Sequence, residues 1–185
     1  MEIQYFIGDP PSPDKMWCAE VLSVWNWCSE GRGADIGSGG RTLTPDTIRV
    51  DSNPLVAADY QADACALPFT DGELDWLYSG HTIEHLPDPL AALLEWLRCV
   101  RVSGHVCVVV PNTAFTLGQN TDPTPHLHEW TPREFVAEVF GWDDKNLPWY
   151  EARCGIGNGH VLGEIIHADE ACRSWSFCVV LERKA

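Results

Sequence analysis

No apolar run in this 185-residue chain approaches the roughly 20 residues that cross a bilayer. The opening residues, Met1-Glu-Ile-Gln-Tyr5, hold no basic segment ahead of an apolar one. A cytoplasmic protein with no membrane partner is therefore expected. Cys18, Cys28, Cys65, Cys99, Cys107, Cys154, Cys172 and Cys178 include no Cys-x-x-Cys pair. That argues against a dithiol redox motif or a zinc ribbon and favours reduced, mostly buried thiols. Basic side chains are scarce as well, 12 against 27 acidic ones, for a net charge of −15. Such a field repels phosphate backbones, which disfavours nucleic acid as a partner and leaves a small molecule as the better fit. There is no internal repeat and no low-complexity segment. The length suits one domain over 1–185, read as an N-terminal helical segment (1–30), a ligand-binding core (31–112) and a substrate-side loop, helix and closing strands (113–185).

The pattern along the chain alternates strands and helices. Trp17, Val21, Leu22, Trp25 and Cys28 recur at helical spacing before Gly31. Short strands are expected at Gly33 to Ile36, Thr47 to Asp51, Tyr60 to Ala62 and Leu74 to Ser79. Pro89 to Val102 reads as a helix through Leu90, Leu93, Leu94, Leu97 and Val100. His105 to Pro111 is then a continuous apolar run of the kind a strand buried on both faces requires. Thr131-Pro132 opens a further helix to Phe140, and the tail from Trp149 to Glu182 reads as two strands around Gly155 to Gly159. Thr113 to Pro125 is polar and turn-rich, a loop. The expected fold is α/β and Rossmann-like: a mostly parallel seven-stranded sheet with helices on both faces and an antiparallel C-terminal strand. Ligands in such folds bind at the carboxyl ends of the strands, where the candidate motifs fall.

The segment richest in chemistry is Ala34-Asp-Ile-Gly-Ser-Gly-Gly-Arg41. Gly37, Gly39 and Gly40 allow backbone conformations closed to other residues and a close approach of main chain to a ligand. Asp51, ending the next strand, can accept hydrogen bonds from both ribose hydroxyls. A nicotinamide dinucleotide fold is the obvious competitor. Its third glycine would fall at Thr42, however, and no second nucleotide-binding half follows.

Five segments in order carry a resemblance. They are Asp35-Ile-Gly-Ser-Gly-Gly40; Val50-Asp51; Ala62-Asp63-Ala64 with Leu67-Pro-Phe-Thr-Asp71 and Leu74-Asp75; Ser79-Gly-His-Thr-Ile-Glu-His-Leu86; and Arg98 to Gly104. Together they resemble class I S-adenosylmethionine-dependent methyltransferases, especially the small type 11 group, over Gly33 to Asn112. The resemblance implies S-adenosyl-L-methionine as cofactor. The backbone around Gly37, Ser38 and Gly39 would face its methionine part. Asp51, with Ser52 beside it, would take the ribose hydroxyls, Asp63 the adenine amino group, and Ala64 would support the ring. Asp35 would organise the loop, and Ser79 and Gly80 would line the methyl-donor side. One departure stands out: between Gly40 and Asp51 the chain is short and contains Pro45, so the helix that usually follows the first motif does not fit. Arg41 is a candidate partner for the methionine carboxylate.

The resemblance implies a methyl group moved to an oxygen or nitrogen of a small-molecule acceptor, and the type 11 association with glycan pathways suggests a sugar or glycan precursor. A hydroxyl acceptor would need a base, for which His81, His126 and His128 are the candidates. Glu84 and His85 are expected to hold the turn after strand four and start the next helix. His126-Leu-His128 alternates as if both rings pointed one way, with Asp122 near in sequence; an exposed loop with two incidental histidines is the first reading, a substrate or base role comes before a metal site, and no metal is expected. Trp130 could cover the site or anchor the Thr131 helix. The alternative is a non-catalytic cofactor-binding or partner-regulating module, and an oligomer is compatible with the sequence.

Overall fold

In the computed structural model the residues described are 20–116, 125–142, 155–156, 162–169 and 176–185. Strands β1 (Gly33–Ile36), β2 (Ile48–Asp51), β3 (Tyr60–Gln61), β4 (Leu74–Gly80), β5 (Val100–Pro111), β6 (Gly155–Ile156), β7 (Gly163–Asp169) and β8 (Ser176–Arg183) form one sheet in the order β3-β2-β1-β4-β5-β8-β7-β6. The first five of these run parallel, and β8 inserts antiparallel between β5 and β7. This is the expected Rossmann-like arrangement. The two-residue β6 adds an eighth strand at the edge, antiparallel to β7.

Both faces of the sheet are covered, which is why its central strands read as unbroken apolar runs. Successive side chains on a strand point to opposite faces. On one face Ile36, Leu77, Val106, Val108, Val110, Phe177, Val179 and Leu181 pack with helices α1 (Pro89–Cys99) and α3 (Pro132–Phe140); α2 (Thr113–Thr116) is a single turn after β5. On the other, Trp76, Tyr78, Cys107, Val109, Cys178 and Val180 pack with Val21, Val24 and Cys28 of the N-terminal segment. That segment is helical over 20–24 and tightens into a 3-10 turn, Trp25–Trp27. Its buried stripe is Val21, Val24 and Cys28, whereas Leu22, expected inside, is 55% exposed. Trp17 lies outside the described residues.

Helix α1 begins on an Asp88 side chain that accepts a hydrogen bond from Ala91 N–H, with Pro89 at its first position. It stops at Cys99, three residues short of the expected Val102. The reason is tertiary: Arg183 Nη1 on β8 donates to the carbonyl oxygens of Arg98 (2.8 Å) and Val100 (2.5 Å), groups a longer helix would use internally. The chain then enters β5 directly. Helix α3 begins in a capping box formed by Thr131 and Glu134 and ends at Gly141 in the left-handed conformation. Cys28, Cys65, Cys99, Cys107 and Cys178 are free thiols, and all but Cys65 are buried; Cys18, Cys154 and Cys172 lie outside the described residues. Among the described residues no helix is long and apolar enough to cross a membrane.

Candidate active site

Because β1 to β5 are parallel, their carboxyl ends share one edge of the sheet. The strand order turns back between β1 and β4, opening a crevice there. Gly37, Gly39 and Gly40 follow β1 with φ of 73°, 58° and 80°. At Gly37 the lack of a side chain is also required by space, since a Cβ would collide with the Thr82 hydroxyl. The absence of a helix after Gly40 holds: residues 41–47 form turns, tied by Thr44 N–H to Thr47 Oγ1 (2.8 Å) and Thr47 N–H to the Thr44 carbonyl (3.1 Å). Leu43, fully buried, fills the adjoining core.

With no helix to orient it, the loop is held by β2. The Val50 carbonyl accepts from the amides of Gly37 (2.9 Å) and Ser38 (3.2 Å), and Asp51 Oδ2 accepts from Gly39 N–H (2.9 Å). The other Asp51 oxygen accepts from Asn53 N–H (2.9 Å), so one carboxylate ties the glycine loop to the turn after β2. Buried Ser38 adds a contact from its Oγ to Gly40 N–H (3.3 Å), and Ser52 is exposed beside Asp51. Asp63 is exposed after β3; its Oδ1 accepts from Cys65 N–H (2.8 Å). Ala64 is buried and its carbonyl is pinned by the Trp96 indole N–H of α1 at 2.8 Å.

Asp35 sits on β1 beneath the loop and is 3% exposed. Burial pushes its carboxyl pKa up to about 8, with Arg41 pulling it down and Asp51 pushing it up. A carboxyl so placed is neutral in the free protein near neutrality and ready to ionise beside an incoming cation.

Across the crevice, Ser79 Oγ at the end of β4 donates to the Ile36 carbonyl (3.0 Å), and Thr82 Oγ1 reaches the same oxygen (3.3 Å), locking the β4 turn to β1. His81 follows with φ of 55°, a left-handed conformation rare outside glycine, which concentrates at functional sites. Its Nε2 lies 3.0 Å from Oε1 of Glu20, and Ser176 Oγ at the start of β8 donates to that same oxygen (2.5 Å) and lies 3.3 Å from the His81 nitrogen. Glu20 and Ser176 are buried; the His81 side chain is 35% exposed. Burial lowers the His81 pKa, but the hydrogen bond and charge of Glu20 and the charge of Glu84 outweigh it, and the net shift is upward. With Nε2–H held by Glu20, the nitrogen left for proton transfer is Nδ1, on the side of Glu84 (3.8 Å). Glu20 and Ser176 escape sequence reasoning because they stand 61 and 95 positions from His81. Glu20 carries no motif of its own.

The other histidines part company. His128 stacks on Trp130 (4.8 Å between centroids) and its Nε2 lies 3.0 Å from the Leu86 carbonyl, while His126 meets His85 edge-on at 4.8 Å. The alternation His126-Leu-His128 therefore sets the two rings against different aromatic partners, His85 and Trp130, and Asp122 lies outside the described residues. Trp130 anchors α3: it is buried, its N–H donates to Glu138 Oε2 (2.8 Å), and its ring meets Phe135. Glu84 and His85 form a 3-10 turn, Ile83–His85, ahead of α1.

Residues 35–108 match a family model described as a methyltransferase domain. Over 150 residues the chain is 27% identical to a Mycobacterium tuberculosis protein named as a probable S-adenosylmethionine-dependent methyltransferase, with 75% of this chain covered. The chain spans about half of that relative's length, 52%. Among solved structures, a chain of the Haloferax volcanii complex between the Trm112 methyltransferase activator and a methyltransferase aligns with TM-score 0.64 at 14% identity, covering 93% of this chain and 91% of that one. A Thermotoga maritima S-adenosylmethionine-dependent methyltransferase, described as a possible histamine N-methyltransferase, aligns with TM-score 0.63 at 16% identity, covering 91% and 89%. At these identities the structural likeness speaks to the fold.

Proposed function

We propose, on the premise that the chain carries a class I S-adenosylmethionine-dependent methyltransferase core, that it transfers the sulfonium methyl group to an oxygen or nitrogen of a small-molecule acceptor. The observation that carries this reading is the convergence at one sheet edge of the glycine loop, Asp51, Asp63 and the Ser79 to His81 turn, around the crevice between β1 and β4. The loop and Asp51 suit the methionine and ribose parts, and Asp63 and Ala64 the adenine. Buried Asp35, ionising beside the methionine ammonium, would supply an anion beneath the loop, and Arg41 is a candidate partner for the carboxylate. The methyl carbon passes to the acceptor atom as its bond to sulfur breaks, leaving S-adenosylhomocysteine; alignment of donor and acceptor supplies much of the rate. With a hydroxyl acceptor, His81 Nδ1 takes the proton, and Glu20 orients the ring and stabilises the imidazolium, an arrangement other base-and-orienter pairs share.

A sugar or glycan precursor is the acceptor class we favour, on the family resemblance and the absence of the positive charge that a nucleic acid would demand. The second reading, a cofactor-binding module that acts through a partner, draws on the Haloferax neighbour, which was solved in complex with an activator. Calorimetric titration with S-adenosylmethionine and S-adenosylhomocysteine tests both readings, and methyl transfer to sugars, nucleotide-sugars, phenols and amines separates them. Absence of binding to either cofactor form overturns both. Binding without transfer to any acceptor class, alone or with cell extract, favours the module.

A further inference from the structure

We propose that Glu84, His85 and His126 form a site for one divalent first-row transition-metal ion on the acceptor side of the crevice. The sequence pattern grouped His126 with His128 and Asp122, and the tertiary structure regroups it. One ligand atom from each of Glu84, His85 and His126 lies within 4.8 Å of the other two. Ligands about 2.0 to 2.2 Å from a zinc-like ion stand roughly 3 to 3.5 Å from one another. Closure thus needs about 1 Å of side-chain rotation, within reach of a His126 ring carried on a surface segment. Two imidazoles and one carboxylate form a donor set suited to Zn²⁺, Mn²⁺, Fe²⁺ or Co²⁺, and three protein ligands leave positions open for water or substrate.

Three features of the surroundings prepare this set for an ion. His85 Nδ1 lies 3.2 Å from the Pro125 carbonyl, and only a protonated Nδ1 can donate to a carbonyl, so the lone pair sits on Nε2. That nitrogen is 3.9 Å from Glu84 Oε1. Fixing the ligating nitrogen by a hydrogen bond from the other ring nitrogen is how metal-binding histidines are held. Secondly, the amides of Leu127 and His128 both donate to the Glu84 carbonyl, at 2.9 and 3.0 Å. Residue 126 is thereby moored beside the turn that carries the other two ligands, and closure on an ion is left to its side chain. Thirdly, the Glu84 carboxyl is buried, with 2% of its side chain exposed, so a cation at its side would stabilise its ionised form where water cannot. The ion would adjoin His81, whose Nδ1 is 3.8 Å from Glu84, so an acceptor oxygen in an open position would face the base of the proposed reaction. The ion site itself does not require that reaction.

Chelator-stripped protein, kept reduced, is titrated with Co²⁺ while visible absorption is recorded, and the same samples are titrated with S-adenosylmethionine. One equivalent of Co²⁺ is expected, with the weak bands of nitrogen and oxygen ligation. Affinity should fall at least tenfold in both His126→Ala and Glu84→Gln. His126 lies in a surface segment, so an unchanged thermal midpoint and cofactor titration for His126→Ala show that its fold is intact. The proposal is overturned if no stoichiometric ion binds, if the spectrum carries intense thiolate bands from the cysteines, or if folded His126→Ala binds Co²⁺ as tightly as the wild type. Cobalt binding without cofactor binding leaves the metal site standing and removes the methyl-transfer reading; cofactor binding without cobalt does the reverse.

Discussion

On the β1 and β2 side of the crevice, the contacts that shape the glycine loop come from nearby in the chain: Asp51 is 12 positions from the amide it holds. On the β4 side, His81 meets Glu20 from the N-terminal helical segment and Ser176 from β8, and Glu20 and Ser176 are 156 positions apart. The first side forms once two neighbouring strands pair. The second exists only after the N-terminal segment has packed on one face and β8 has been inserted beside β5. Binding and catalysis should therefore be separable: damage to local contacts should fall on cofactor affinity, and damage to the long-range contacts on turnover.

The largest expected effect is on the long-range side. With a hydroxyl acceptor, His81→Ala should lower kcat by about 10² to 10⁴, the usual range for a general base, with the cofactor Kd near the wild-type value. Full activity with every hydroxyl acceptor would remove His81 from the mechanism. On the local side, Asp51→Ala removes the proposed ribose acceptors and the tie to Gly39, with an expected cost of about 3 kcal/mol, on the order of a 100-fold weaker Kd by calorimetry. An unchanged Kd would dissolve the ribose assignment.

Asp35 lies between the two sides and should report through pH. Its carboxyl pKa is about 8 in the folded protein against the ordinary aspartate value of 3.8, so the folded state holds the proton more tightly. Its contribution to stability is complete below about pH 3.8 and is lost as pH rises towards 8. Wild-type protein without cofactor should lose several kcal/mol across that window relative to Asp35→Asn, as read from denaturant midpoints. Cofactor binding near pH 7 should release a proton, visible as a heat that depends on the buffer. Parallel pH profiles for the two proteins would show that Asp35 is already ionised.

The smallest effect is the sharpest test of the comparison. Glu20→Gln keeps the size of the side chain but removes the charge behind His81, and should lower kcat by about tenfold to thirtyfold without moving the cofactor Kd. Glu20→Asp should restore part of the loss. Equal losses in Kd and kcat would mean that the N-terminal segment supports the whole crevice, and the two sides would no longer be distinct.

Legibility in the sequence followed the same division. The strands around the first two motifs, the turns at 41–47 in place of a helix, and the capping of α1 and α3 are set by glycine, proline and capping residues acting on their neighbours, so they could be read in order along the chain. The end of α1 could not, because Arg183 decides it from β8. Leu22 fits the helical spacing, yet the sheet takes Val21 and Val24 instead. His126 and His128 alternate in sequence, but one ring is drawn to His85 and the other to Trp130.

By itself, then, the sequence determined the α/β alternation, the glycine loop and the acidic strand ends, since these rest on backbone conformations and spacings set over a dozen residues. Only the tertiary structure decided which carboxylate stands behind His81, which hydroxyl stands beside it, and which histidine joins Glu84 and His85. Those contacts join segments brought together by burial of both faces of the sheet, and burial constrains where side chains meet without requiring any pattern between them in the chain.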